Sequence, residues 1–282
     1  SGSLDSVCLV CFFFFHQKAA SGVSACLVGL EMCIRGSSWK ALNGGWRRIA
    51  PAERGRILMR TAEAIRANAE YFAVVESLDC GKPIGEARVD VASAARAFEY
   101  YAGACDKIQG VTIPLDADHI AYSVNEPVGV TAHVIPWNYP ISTTARGVAP
   151  ALAAGCTVIV KPAEQTPLTA LLLAETLKKA GLPDGVCNVV TGTGAEAGAP
   201  LVSHPGVSHV TFTGSVATGC SVMQAAACNV ASVTLELGGK SPAVVMADCD
   251  IAMAVDDILG AIFENAGQIC SAASRVVIER SI

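Results

Sequence analysis

Beyond Pro127 the chain alternates short apolar runs with stretches of helical spacing, and this alternation limits the fold more than any other feature. Runs at 128–135, 156–160, 186–190, 207–212, 231–235 and 242–246 read as strands. Between most of them, 140–153, 167–180, 195–202 and 215–227 read as helices. Apolar strands joined by helices call for a parallel sheet, because parallel neighbours need long crossovers that then cover both faces. The expected fold is α/β and doubly wound.

The part before this alternation is mostly helical. Pro51 followed by Glu53 marks a helix start, and the spacing continues to about Leu78, where Gly81-Lys82-Pro83 breaks it. A second helix is expected from Gly85 to Cys105, with Val91, Ala95, Phe98 and Ala102 as its buried stripe. Residues 110–126 form two short extended runs around Asp116 to Asp118, a protruding β-hairpin. Isolated ribbons are marginal, so this one is expected to pack on something else, such as a neighbouring subunit. Residues 1–39 stay unassigned. Their run Val7–Phe15 is about half of the ~20 residues a membrane span needs, and Asp5 stands where a leader would carry positive charge.

Composition narrows the function. Apolar residues make up 52% of the 282 and charged residues 16%, enough for a sizeable core. The formal net charge of -5, with no basic block, gives no reason to expect nucleic acid. Twelve cysteines are scattered, and the one Cys8–Cys11 pair has no second pair to complete a zinc site. No metal is expected. Most of these thiols read as small buried side chains in a reducing compartment, the cytoplasm or an organelle.

Five segments carry candidate chemistry, and each also has a plain structural reading. Pro136-Trp137-Asn138-Tyr139-Pro140 follows a strand and holds Asn138 between two prolines, as an oxyanion donor requires, or as any self-satisfied turn would. Lys161 and Glu164 end the next strand; they could hold a nucleotide ribose or form a solvated ion pair. Phe212-Thr213-Gly214-Ser215 joins a strand to a helix whose first amides could face a pyrophosphate, without the full glycine fingerprint. Glu236, between Leu235 and Leu237, would be desolvated and so raised toward a general base, or merely bonded to backbone amides. Cys270 is one thiol of twelve, and a nucleophile only if its surroundings favour the thiolate.

In this order the segments Pro-Trp-Asn-Tyr-Pro, Lys-Pro-Ala-Glu, Phe-Thr-Gly-Ser, Leu-Glu-Leu-Gly-Gly-Lys-Ser-Pro and Gly-Gln-Ile-Cys resemble the aldehyde dehydrogenase superfamily, from about Lys40 to Ile282. Glu76-Ser77-Leu78-Asp79-Cys80-Gly81-Lys82-Pro83 is a further similar stretch. The resemblance implies a Rossmann-like NAD-binding domain over 40–236, with 110–126 inserted as an oligomerisation hairpin, and the start of a catalytic domain over 237–282. It implies Cys270 as nucleophile, Glu236 as general base, and Asn138 with the Cys270 N–H as oxyanion hole. Cofactor contacts would come from Pro136, Trp137, Lys161, Glu164, Phe212, Gly214, Ser215 and Leu237. The implied reaction oxidises a small-molecule aldehyde to a carboxylic acid with NAD, through a cysteine thiohemiacetal and thioester, in a homodimer or homotetramer with no membrane or nucleic-acid partner.

The chain also departs from the pattern. A full family member continues well past the nucleophile, supplying an acid for the nicotinamide ribose, a final interface strand and much of the aldehyde pocket; residues 1–39 lack the usual opening strands. Arg146-Gly147 stands where many members carry an aromatic residue and a lysine, and a surface arginine is the expected reading. Two alternatives therefore stay open: an inactive fragment that at most binds nucleotide, and a thioesterase-like hydrolase using Cys270 and Glu236. The residues after Cys270 and the run 197–205 resemble members acting on betaine or amino aldehydes, a third possibility within the family.

Overall fold

The computed structural model describes residues 32–282. Wide helical turns at Met32–Trp39 and Leu42–Trp46 lead into three helices: α1 (Pro51–Ala67), α2 (Ala69–Cys80) and α3 (Ile84–Ala104). The single helix expected to Leu78 is thus two, broken at Asn68, whose φ of -116° and ψ of 22° leave the helical region. Packing also begins ahead of the boundary read at residue 40. Ser38 is buried and accepts from Asn188 at 2.9 Å, and Trp39 donates to the Gly206 carbonyl. The apolar run Val7–Phe15 lies outside the described residues.

The hairpin is present as β1 (Thr112–Ile113) and β2 (Ala121–Tyr122), antiparallel, with Ile113, Ile120 and Tyr122 exposed. Then come β3 (Val130–Val134), α4 (Pro140–Ala154), β4 (Thr157–Lys161), α5 (Leu168–Lys179), β5 (Cys187–Val189), the short α6 (Ala199–Val202), β6 (His209–Gly214), α7 (Val216–Ala227) and β7 (Ser232–Leu237). These five strands pair in parallel in the order β5-β4-β3-β6-β7. The chain winds outward from β3 in one direction and then returns to add β6 and β7 on its other side. The crevice between the ends of β3 and β6 is where such sheets bind ligands.

Two cores flank the sheet. On one face Val158 and Val160 meet α4 and α5, and Leu58, Phe72 and Phe98 of α1–α3 add a second layer. On the other, Val130, Ala132, Ile159, Val210 and Phe212 pack under α6 and α7. The sheet is not covered throughout, as the apolar runs had suggested. Ser232, Thr234 and Glu236 of β7 line an exposed stripe opposite α7. Nor does the run at 242–246 join this sheet. As β8 (Pro242–Val245) it pairs with β9 (Arg275–Ile278), a strand the pattern did not reveal, in a separate parallel pair. Between them α8 (Ile251–Phe263) leaves Met253, Leu259 and Phe263 exposed.

Helix α2 positions the helices beside the crevice. Glu76, fully buried, accepts from the Ile141 N–H in the first turn of α4 at 3.3 Å, and Asp79 accepts from the Leu168 N–H of α5 at 2.8 Å. These first-turn amides have no acceptor within their own helices, so a carboxylate from elsewhere satisfies them and complements the helix dipole. Burial pushes the Glu76 carboxyl up to about 7, against the pull of Lys82 and the Ile141 N–H.

Two consequences can be measured. A Cβ on Gly55 of α1 would lie 2.6 Å from the Ala102 carbonyl oxygen of α3, whereas one on Gly103 meets nothing within 4 Å. Gly55→Ala should cost about 1–3 kcal/mol by forcing the helices apart. Gly103→Ala should gain up to ~1 kcal/mol from helix propensity, both read as shifts in urea midpoint. For Glu76, the folded chain holds its proton more tightly than the unfolded one. Stability from this group is therefore complete below the ordinary value of 4.5 and is lost as pH rises to about 7. Glu76→Gln keeps an acceptor for Ile141 and removes that slope. The Tm of the variant minus that of wild type should grow between about pH 5 and pH 8, and an unchanged difference would refute the assignment.

Candidate active site

The strand ends bring the predicted segments to one crevice. Past β3 the chain runs Ile135, Pro136, Trp137 and Asn138 before Pro140 starts α4; Trp137 is exposed and Pro136 half-buried. The Asn138 amide donates through Nδ2 to the carbonyl of Gln268, two residues before Cys270, at 2.7 Å. A primary amide has two donor hydrogens, so one is left for a ligand. Cys270 follows a tight turn over Glu264–Gly267, and its thiol is exposed. The candidate oxyanion donor and the candidate nucleophile, distant in sequence, are thus linked through the Gln268 carbonyl.

At the end of β4 the Lys161 side chain is buried and its ammonium lies 3.2 Å from the Glu164 carboxylate, which stays nearly half exposed. The Glu164 backbone N–H first, and Lys161 after it, hold that carboxyl below the usual range. The ordinary surface ion pair is not what is found, since one partner is inside the protein. An ionised acid fixed at a strand end and open to solvent suits hydroxyl groups of a ribose.

At the end of β6 the buried Phe212 ring fills the space where a Gly214 side chain would be: a Cβ there would come within 2.5 Å of the ring. Bare backbone therefore forms the entrance to α7. Ser215 caps the helix, its Oγ accepting from the Thr218 N–H at 3.2 Å. The amides of Val216 and Ala217, in the first turn, have no acceptor within the helix. Gly219 lets α7 sit close to β7, where a Cβ would lie 2.7 Å from Leu237 Cδ2. This strand, glycine and helix-start arrangement fits the pyrophosphate of a dinucleotide, with Lys161–Glu164 two strands away, on the far side of β3.

Glu236 differs from the expectation. It is exposed, and the desolvation inferred from its leucine neighbours is absent. The reason is the two-residue period of a strand: Val233, Leu235 and Leu237 turn toward α7, so Glu236 projects from the opposite face. It stands next to Thr213 in the β6–β7 register, at the same end of the sheet as the crevice. Arg146 is exposed on α4, as read. Its neighbour Gly147 has a packing reason, since a Cβ there would lie 2.7 Å from His133 Nδ1. His133 is buried between the hydroxyls of Thr131 (2.9 Å) and Thr211 (2.7 Å), and burial pushes it down to about 3, so it remains neutral.

Sequence reasoning missed the residues that hold the crevice together. Asn265 donates through Nδ2 to the Asn138 carbonyl at 3.1 Å, and its backbone N–H donates to Glu86 of α3 at 2.7 Å. The Tyr139 hydroxyl donates to Glu264 at 2.9 Å, and Lys82 lies 3.6 Å from the centre of the Tyr139 ring. One signal was available. Glu86 and Asp90 fall beside the stripe of Ala87, Val91 and Ala94, where an acid needs a partner.

The chain matches the Aldehyde dehydrogenase family over residues 35–282. It is similar to aldehyde dehydrogenase 1 of Tanacetum cinerariifolium, 48% identical over 255 residues that cover 90% of this chain and 51% of that protein. Retinal dehydrogenase 2 of Homo sapiens is 45% identical over 244 residues, covering 86% of this chain and 47% of that one. Among solved structures, the NAD+ complex of aldehyde dehydrogenase from Bacillus cereus gives a TM-score of 0.87 at 41% identity, over 89% of this chain and 52% of the other. The chain spans about half the length of the curated relatives it matches. With the match running through every segment of the crevice, the chain belongs to the aldehyde dehydrogenase family.

Proposed function

We propose that this chain provides the cofactor site and the nucleophile of an oxidoreductase that converts an aldehyde to a carboxylic acid with NAD. The carrying observation is the hydrogen bond from Asn138 to the Gln268 carbonyl, which joins the loop of a nucleotide-type crevice to the loop of an exposed cysteine. Residues 40–236 form the NAD-binding part, with 110–126 as its oligomerisation hairpin, and 237–282 begin the catalytic part. The separate pairing of β8 with β9 supports that division. The apolar residues along the hairpin support a homodimer or homotetramer. The eight cysteines from Cys80 to Cys270 are free, in keeping with a reducing compartment such as the cytoplasm, and among the described residues no helix is long and apolar enough to cross a membrane.

Each group has a task that its place allows. The Cys270 thiolate adds to the aldehyde carbon, and the free hydrogen of the Asn138 amide, with the Cys270 N–H, stabilises the oxyanion of the thiohemiacetal. NAD, when bound, supplies the acceptor for the hydride. Lys161 and Glu164 would hold its ribose and the Gly214–Ser215 backbone its diphosphate, with further cofactor contacts assigned to Pro136, Trp137, Phe212 and Leu237. Glu236, free in solvent on β7, activates the water that releases the acid from the Cys270 thioester.

Calorimetric titration of the 282-residue chain should show saturable NAD binding, weaker NADP binding, and loss of NAD affinity in Glu164→Arg. Aldehyde-dependent NADH formation should vanish in Cys270→Ser with NAD affinity kept, and fall about 10²–10³-fold in Asn138→Ala. A folded chain that binds no NAD would sink this reading.

A further inference from the structure

Among the described residues Lys82 is the most deeply buried cation, and nothing in the proposed chemistry uses it. Its side chain is wholly enclosed. It is placed by a rigid corner: Gly81 caps α2 in the left-handed region (φ 75°), Pro83 leads into α3, and the Lys82 carbonyl accepts from the Ser77 hydroxyl at 2.6 Å. From there the ammonium reaches Asp90 of α3 in a hydrogen-bonded ion pair, lies 3.9 Å from Glu76, and sits over the face of Tyr139. A cation removed from water is worth keeping only where carboxylates and an aromatic face replace its hydration.

Tyr139 directly follows Asn138. With Lys82 on its face, its hydroxyl bonded to Glu264, and Pro140 behind it, the ring has little freedom. Glu264 opens the turn that leads to Cys270, and that turn is strained. Asn265 (φ 49°) and Ala266 (φ 56°) both adopt left-handed backbone without being glycine. Such strain persists only where surrounding contacts fix it. Here the contacts are the Asn265 N–H to Glu86, the Asn265 side chain to the Asn138 carbonyl, and the Gln268 side chain to the Asn265 carbonyl at 3.0 Å. Glu86 and Asp90 are four residues apart and so share one face of α3. One acid holds the Cys270 turn; the other, through Lys82 and Tyr139, holds the Asn138 loop.

We propose that Lys82 is a positioning residue: clamped between Asp90 and the Tyr139 ring, it sets where Asn138 stands relative to Cys270. This deepens the oxidoreductase reading and rests on it for its catalytic consequence. Lys82 touches no reacting atom. Its effect travels through Tyr139, and the acids of α3 supply the fixed reference.

Amide exchange read by mass spectrometry on the full chain tests the clamp without requiring turnover. In Lys82→Met, peptides over 136–141 and 264–270 should exchange about tenfold faster or more, with β4 and α5 unchanged and Lys82→Arg between the two. If the chain turns over aldehyde, Lys82→Met should also lower kcat by about tenfold or more with KM for NAD within about twofold. Faster exchange in every segment, or no change in the two loops, overturns the proposal. Should Lys82→Met fail to fold, Tyr139→Phe keeps the ring under Lys82 and removes only the bond to Glu264. It must then loosen 264–270 alone, and equal protection there overturns the proposal. A wild-type chain with protected loops and no turnover overturns the oxidoreductase reading instead, while the exchange data still decide the clamp.

Discussion

A parallel strand cannot be reached by a tight turn, so each of the four central strands after β3 is entered only after a long connection has carried the chain back along the sheet. Every strand therefore ends on the same side, and the chain there is free to bend into a loop before the next helix begins. Where winding reverses, between β3 and β6, neighbouring helices lie on opposite faces and leave a gap. Asn138, Lys161, Glu164, Gly214 and Ser215 are at that edge because of this one constraint. Their chemistry is local, but their meeting is a property of the winding.

Much of this was legible because strands and helices have different periods, and because glycine and proline mark where each must stop. The runs after Pro127 gave the elements and their order, and the buried stripe Val91, Ala95, Phe98 and Ala102 was read correctly along α3. What failed did so for particular reasons. Asn68 looks like any polar residue on a helix, and only its backbone angles end α1. The apolar character of the run at 242–246 says that it is a strand but not which strand it joins. Paired glycines, Gly238 and Gly239, allow it to leave the sheet. For Glu236, neighbours in sequence were mistaken for neighbours in space.

The cluster around Lys82 was missed for a different reason, although Glu86 and Asp90 beside the apolar stripe of α3 hinted at it. Charged residues are rarely buried, so nothing in the sequence alone sets Glu76, Lys82, Glu86 and Asp90 together inside the protein. The burial of Glu76, Lys82 and Asp90, with Glu86 half-buried beside them, becomes necessary only once α4 and the Glu264–Gly267 turn are laid against α2 and α3. Then the unpaired amides of Ile141 and Asn265 need acceptors that water cannot provide. The helix starts of the sheet and the turn before Cys270 thus use the same part of the chain for their polar satisfaction. A short stretch with no role in the proposed chemistry holds the geometry of the residues that have one.

The separation of Glu86 and Asn265 by 179 positions has a consequence for how the molecule is made. At a translation rate of about 5–20 residues per second, α3 leaves the ribosome on the order of ten seconds before the turn that it restrains. The helical layer and the sheet can assemble in that interval. The turn carrying the cysteine emerges onto a scaffold already in place, and its strained backbone is drawn into shape by contacts that are waiting for it. Cys270, the candidate nucleophile, thus emerges after the candidate residues Asn138, Lys161, Glu164, Gly214, Ser215 and Glu236, when the contacts that shape its turn are already in place.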